Sequence, residues 1–127
     1  MIDSALRTWL LSQATITGIT SNVYPLRLPQ SKFTETSIVY NLIDGFPGLN
    51  VGSVAQVSEA TIQLDVYSPT YNQVRTLTNE LITILNGYHG PLDILEASMI
   101  VVRNIGNTYE EDLKLYRSTI DINVHVK

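Results

Sequence analysis

The side chains best suited to chemistry lie on two strongly alternating stretches. Asp65 sits in TIQLDVY, and Arg117, Asp121 and His125 sit in LYRSTIDINVHV, each on the opposite side of its stretch from the apolar residues. If these strands are neighbours, Asp65 and Asp121 could approach closely enough to hold Mg²⁺ or to divide acid and base roles. The competing use of the same residues is a solvated ion pair, with Arg117 or Arg75 as the partner. A small enzyme or ligand-binding domain working from the polar face of a sheet is therefore one reading.

The remaining chemistry is thin. The two histidines, His89 and His125, are far apart in the chain, with no H-x-x-x-H or H-x-x-E-H spacing, so they read as solvated side chains rather than metal ligands. No G-x-S-x-G marks a nucleophile, and Gly45, Gly48 and Gly52 form neither G-x-G-x-x-G nor a phosphate loop. The chain has no cysteine, which excludes disulfides, thiol nucleophiles and thiolate metal sites. No catalytic residue, cofactor or metal is expected, because an enzyme of this length concentrates its titratable groups and this sequence spreads them. Glu110, Glu111 and Asp112 are the exception; they make an acidic turn that is either a hydrated loop or an electrostatic docking point.

Several elements must position these groups. The clearest stretch is 60–87, ATIQLDVYSPTYNQVRTLTNELITILNG. Ile62, Leu64 and Val66 alternate with polar residues as in a half-buried strand. Val74, Leu77, Leu81, Ile84 and Tyr88 then recur at helical spacing. Ser68 and Pro69 mark the helix start and Gly87 its stop. Before it, Asp3 or Ser4 can cap a short helix carrying Leu6, Trp9 and Leu10 and ending near Ala14. The Pro-rich VYPLRLPQ reads as a surface connection, and IVYNLID (38–44) as a strand apolar on both sides. The 45–56 segment, GFPGLNVGSVAQ, reads as a large hairpin tip with Phe46, Leu49 and Val51 as apolar residues awaiting a partner or folding back on the core. A third strand is expected over 94–105, ended by Asn104, Gly106 and Asn107, and a fourth over 115–126. The pattern predicts an α+β fold in the order α-β-β-α-β-β, a mainly antiparallel four-stranded sheet with two helices on one face, in one domain over 1–127.

Composition narrows the partners. Eight basic against twelve acidic residues give a net charge of −4 with no basic patch, which argues against gripping nucleic acid. Only 16% of the residues are charged, below the usual figure of about 25%. Apolar runs are too short to cross a bilayer, and the start of the chain lacks a basic signal-peptide region, so synthesis in the cytoplasm and no membrane contact are expected.

Read end to end, the chain resembles the phage tail completion and tail terminator family, which acts in the head-to-tail joining region of siphophages and related prophages. The resemblance is carried by ALRTWLL, VYPLRLPQ, SIVYNLID, the strand-to-helix run TIQLDVYSPTYNQVRTLTNELITIL with its L-N-G stop, and DLKLYRSTIDINVHV. It implies a structural virion protein, not an enzyme, made in the host cytoplasm and placed at the head–tail interface. It also implies self-assembly into a ring, commonly a hexamer. Such a ring would cap the tail tube protein, meet a head completion or connector protein and let DNA pass through its channel. A closed ring needs two different complementary patches per subunit. The expected ones are the 45–56 tip, with Phe46, Leu49 and Val51, and the acidic turn Glu110, Glu111 and Asp112.

Overall fold

Alternation builds the centre of the molecule. In β3 (Ser58–Ser68) and β6 (Leu115–Val126), Ile62, Leu64, Val66, Ile120, Ile122 and Val124 turn to one side and are fully buried, as the period-2 geometry of a strand on a core requires. The two strands pair antiparallel from Ser58↔Val126 to Ser68↔Tyr116 without a break, so apolar residues meet in cross-strand pairs such as Ile62↔Ile122 and Leu64↔Ile120. The computed structural model describes residues 2–28, 35–45, 58–92, 95–112 and 114–126.

Strands are added on both sides of this pair. β2 (Ser37–Gly45) runs antiparallel to β3, and β1 (Val23–Pro25) lies parallel to β2. On the other side β5 (Leu95–Glu110) pairs antiparallel with β6 along its length, and β4 (Gly90–Leu92) pairs only with the first residues of β5. The result is a mixed sheet of order β1-β2-β3-β6-β5-β4, curved into a half-barrel. Three helices, α1 (Ile2–Leu11), α2 (Ala14–Thr17) and α3 (Tyr71–Leu85), complete the described structure. Leu6, Trp9 and Leu10 of α1, Ile16 of α2, and Val74, Leu77, Leu81 and Leu85 of α3 join the inward residues of the sheet in one core.

The expected α+β arrangement of four antiparallel strands under two helices is overturned. The molecule is mostly β, with six strands among the described residues, one of them parallel, and three short helices. Each discrepancy has a local cause. β1 is three residues long and ends in Pro25, too short for alternation to show, and its hydrogen bonds come from non-adjacent backbone such as Ile38 N–H to Asn22 O. The first helical stretch breaks after Leu11, and a second short helix follows from Ala14. β5 continues through Gly106 and Asn107, which read as terminators, because pairing with β6 overrides the local preference for a turn. Two register shifts in β5, between Ala97 and Met99 and between Val102 and Asn104, also break its alternation.

The 60–87 stretch folds as strand, junction and helix, with two differences in detail. Thr70, not Ser68, is the N-cap of α3; Ser68 instead accepts a hydrogen bond from the Thr70 N–H at 3.2 Å and shapes the junction. The buried stripe of α3 passes through Thr78 and Leu85 in place of Ile84 and Tyr88. Gly87 follows the helix at φ 83°, a left-handed conformation that only glycine adopts without strain.

Candidate functional site

On the face of the sheet opposite the helices, polar side chains are tied to one another. Asp65 is 6% exposed. Its two oxygens accept hydrogen bonds from Arg117 Nε and Nη2, both at 3.2 Å, from Thr119 Oγ1 at 2.7 Å and from Gln63 Nε2 at 3.1 Å. The β3–β6 register explains the assembly: Asp65 stands across from Thr119, and Arg117 is one pleat along the same face. Arg117 reaches the other way with Nη1 to Glu110 Oε1 at 3.0 Å and lies 5.7 Å from the centre of the Tyr67 ring. Burial alone would weaken the Arg117 charge, but its hydrogen bonds to Asp65 and Glu110 more than offset this and hold it above its ordinary range. Burial pushes the Tyr67 phenol up, opposed by the Arg117 charge and assisted by those of Asp65 and Glu110.

Asp121 stands across from Gln63, on the same face as Asp65, and the partners of the Asp65 oxygens are Arg117, Thr119 and Gln63. Both oxygens of Asp65 are thus engaged by donors of the fold, an arrangement that fixes its charge rather than frees it for proton transfer. His125 Nε2 is 3.2 Å from Glu59 Oε2 on the same face, and His89 is exposed in the turn before β4. Among the described residues no group of three His, Cys, Asp or Glu side chains comes together.

The acidic turn is the tip of the β5–β6 hairpin. Glu110 closes β5 and is held by Arg117, while Glu111 and Asp112 are exposed. Lys114, at φ 57°, reverses the chain and its N–H reaches Glu111 O at 3.3 Å. Phe46, Leu49 and Val51 lie outside the described residues.

Two features escaped the sequence reading. The first is an aromatic cluster beside the same hairpin: Tyr116 packs at a tilt against Tyr109, with ring centres 4.9 Å apart, and meets Tyr71 edge-on at 5.6 Å. A cleft of about 220 Å³ lies against it, lined by Tyr71, Val74, Tyr109 and Tyr116 among others. The available signal was spacing, since tyrosines at 109 and 116 flank an acidic turn as cross-strand partners would. The second is a hydroxyl-rich cleft of about 560 Å³ between the start of α3 and the loop before β1. There Thr20 Oγ1 donates to Thr36 O at 2.7 Å, and Thr36 and Ser68 hydroxyls are 3.0 Å apart. Its residues come from three separate places in the chain, so no local pattern announces it.

Among the described residues the geometry offers fixed charges and exposed surfaces. The tail completion protein gp17 family matches residues 4–127. The chain belongs to this family. It is a structural protein of the phage tail, and its place is in the virion. No curated protein matches the chain. Among solved structures it is similar to a chain of the virion of a native gene transfer agent particle. The TM-score is 0.68 at 12% identity, covering 98% of this chain and 96% of that one. At that identity the likeness establishes a shared fold.

Proposed function

We propose that the protein closes the phage tail: it caps the tail tube, forms a ring, of six copies by the family resemblance, and joins the tube to the head connector. The observation that carries this reading is the match to the tail completion family over nearly the whole chain. The similar chain in the gene transfer agent virion supports assembly with other structural proteins of a particle. A net charge of −4 suits a channel through which DNA slides without being held. The role is structural and needs no catalysis, cofactor or membrane, and the whole chain serves it as one domain. Phe46, Leu49 and Val51 on one side, and Glu110, Glu111 and Asp112 on the other, are the proposed contacts to neighbouring copies, tail tube and connector.

Electron microscopy of the purified protein mixed with tail tubes tests the reading. Rings seated on tube ends are expected, with tubes lacking the protein failing to join heads. Joining that proceeds equally well without the protein would overturn it. Changing Phe46 and Leu49 to Ser should reduce seated rings at least tenfold while thermal unfolding of the subunit is unchanged.

A further inference from the structure

The sheet has two unequal kinds of border. Both short border strands contain a proline, Pro25 at the end of β1 and Pro91 in the middle of β4, residues that cannot donate to an added strand. Neither covers the whole of its neighbour. β4 pairs with β5 only as far as Ala97, Gly87 and Tyr88 exchange hydrogen bonds with Ile100, and Asn86 Oδ1 accepts from Val102 N–H. From 103 to 110 the outer edge of β5 has no backbone partner among the described residues. This free length contains no proline, and its charged residues stand only at its two ends: Arg103 at the bulge between Val102 and Asn104, and Glu110, which is held by Arg117.

The direction of the unpaired groups follows from the ladder. Ile100 points its N–H away from β6, to Tyr88 O, and stands across from Val124. Ile105, Asn107 and Tyr109 stand across from Ile120, Ser118 and Tyr116, residues of the same parity in β6 as Val124. These three therefore turn their N–H and C=O groups to the open side. Their neighbourhood is accessible and carries two large apolar side chains: Ile105 is 55% exposed, Tyr109 46%, and a Cβ at Gly106 would meet nothing within 4 Å.

A second open length lies at the other border and the other end of the sheet. β1 covers β2 only from Ile38 to Tyr40, leaving 41–45 without a strand partner on that side among the described residues, with Ile43 52% exposed at a bulge. Among the described residues the sheet thus has two different open edges on opposite borders, and a head-to-tail contact between identical chains needs two different complementary patches. We infer that 103–110 of one copy takes the 41–45 edge of β2 of the next copy as an added strand, so that the sheet continues from subunit to subunit. This rests on the ring reading above and names the surface that would build it.

Asn107→Pro and Thr108→Pro separate this edge from the rest of the hairpin. Proline at 107 removes a donor that faces the open side, whereas proline at 108 removes one that faces β6. Asn107→Pro should keep the wild-type melting temperature and lose rings on tail tubes at least tenfold, by electron microscopy and sedimentation; Thr108→Pro should lower the melting temperature. Ile105→Lys, a surface change, should reproduce the assembly loss. Hydrogen exchange adds a direct readout, with the amides of Ile105, Asn107 and Tyr109 open in the free protein and protected in the ring. Wild-type rings combined with unimpaired Asn107→Pro and Ile105→Lys rings, or with these amides still unprotected, would overturn the inference and leave the ring reading standing. Particles that stop at two copies would overturn it as well, since they would join like edges. Absence of any ring from the wild-type protein on tubes would remove the ring reading, and the inference with it.

Discussion

Asp65 and Tyr109 lie on the same continuous sheet, yet their surroundings follow opposite rules. Around Asp65 one carboxylate is withdrawn from water and fully partnered: Arg117, Thr119 and Gln63 surround it. Along the free border of β5 apolar groups are exposed, and Ile105 and Tyr109 keep about half of their surface in water. Charged groups withdrawn from water cost free energy unless fully paired, so the first region is a device for holding β3 to β6. Large apolar side chains left in water gain nothing for the lone subunit, which is why the proposed contact between copies is placed at the second region. On that proposal, stability and assembly fall to different parts of one sheet, with Arg117 and Glu110 at the boundary.

The sharpest way to break this division is to remove the carboxylate. Asp65→Ala strands the Arg117 guanidinium and leaves Thr119 and Gln63 without their acceptor. A loss of about 3 kcal/mol in urea unfolding is expected, set below the usual cost of breaking a fully buried pair because Arg117 is 30% exposed. Asp65→Ala combined with Arg117→Ala should cost less than the sum of the two single changes. If Asp65→Ala were neutral for folding but abolished tail joining, the polar face would be a functional surface and the division would fail.

The two regions also differ in how far the sequence discloses them. The 115–126 strand is found to the residue, and 60–87 shows its strand and helix, because one face of each is buried and the other is not, which writes the period into the residue types. The Asp65–Arg117 pair was foreseeable as one of two pairings once those strands were taken as neighbours. The arm of β5 was hidden for the converse reason. Both of its faces are exposed from 105 to 109, so no alternation marks it, and Gly106 and Asn107 carry the local signature of a turn. The parallel contact of β1 with β2 depends on backbone pairing between short segments, which side-chain pattern does not record. What patterning conveys is burial; edges and exposed strands, where assembly is proposed to occur, leave little trace in it.

A second pair of changes works inside the aromatic cluster, where the regions meet. Tyr116 is half-buried between Tyr109 and Tyr71, whereas Tyr109 caps the stack from outside. Tyr116→Ala should cost about 2 kcal/mol, through lost burial and both ring contacts, and Tyr109→Ala about 0.5 kcal/mol. The order should reverse for assembly: Tyr109→Ala should reduce rings on tail tubes more than its small effect on folding can explain. Equal unfolding losses for the two would mean that the arm is part of the core, and the exposed border would lose its distinct status.

The smallest effects on folding are expected at the hairpin tip, and they sharpen the boundary most finely. Glu110, Glu111 and Asp112 are adjacent in the chain, but only Glu110 is held by Arg117. Glu110→Gln should therefore lower stability by about 0.5 kcal/mol, the value of a partly exposed ion pair. Glu111→Gln with Asp112→Asn should leave urea unfolding unchanged, because both side chains stand in water. If the tip guides docking, this double change should slow joining of tails to heads at low salt by several-fold, and the difference from wild type should vanish above about 0.5 M salt, where charges a few ångströms apart in water are screened. A joining rate equal to wild type at low salt would reduce the tip to a hydrated turn and leave the free border of β5 as the assembly surface of the hairpin.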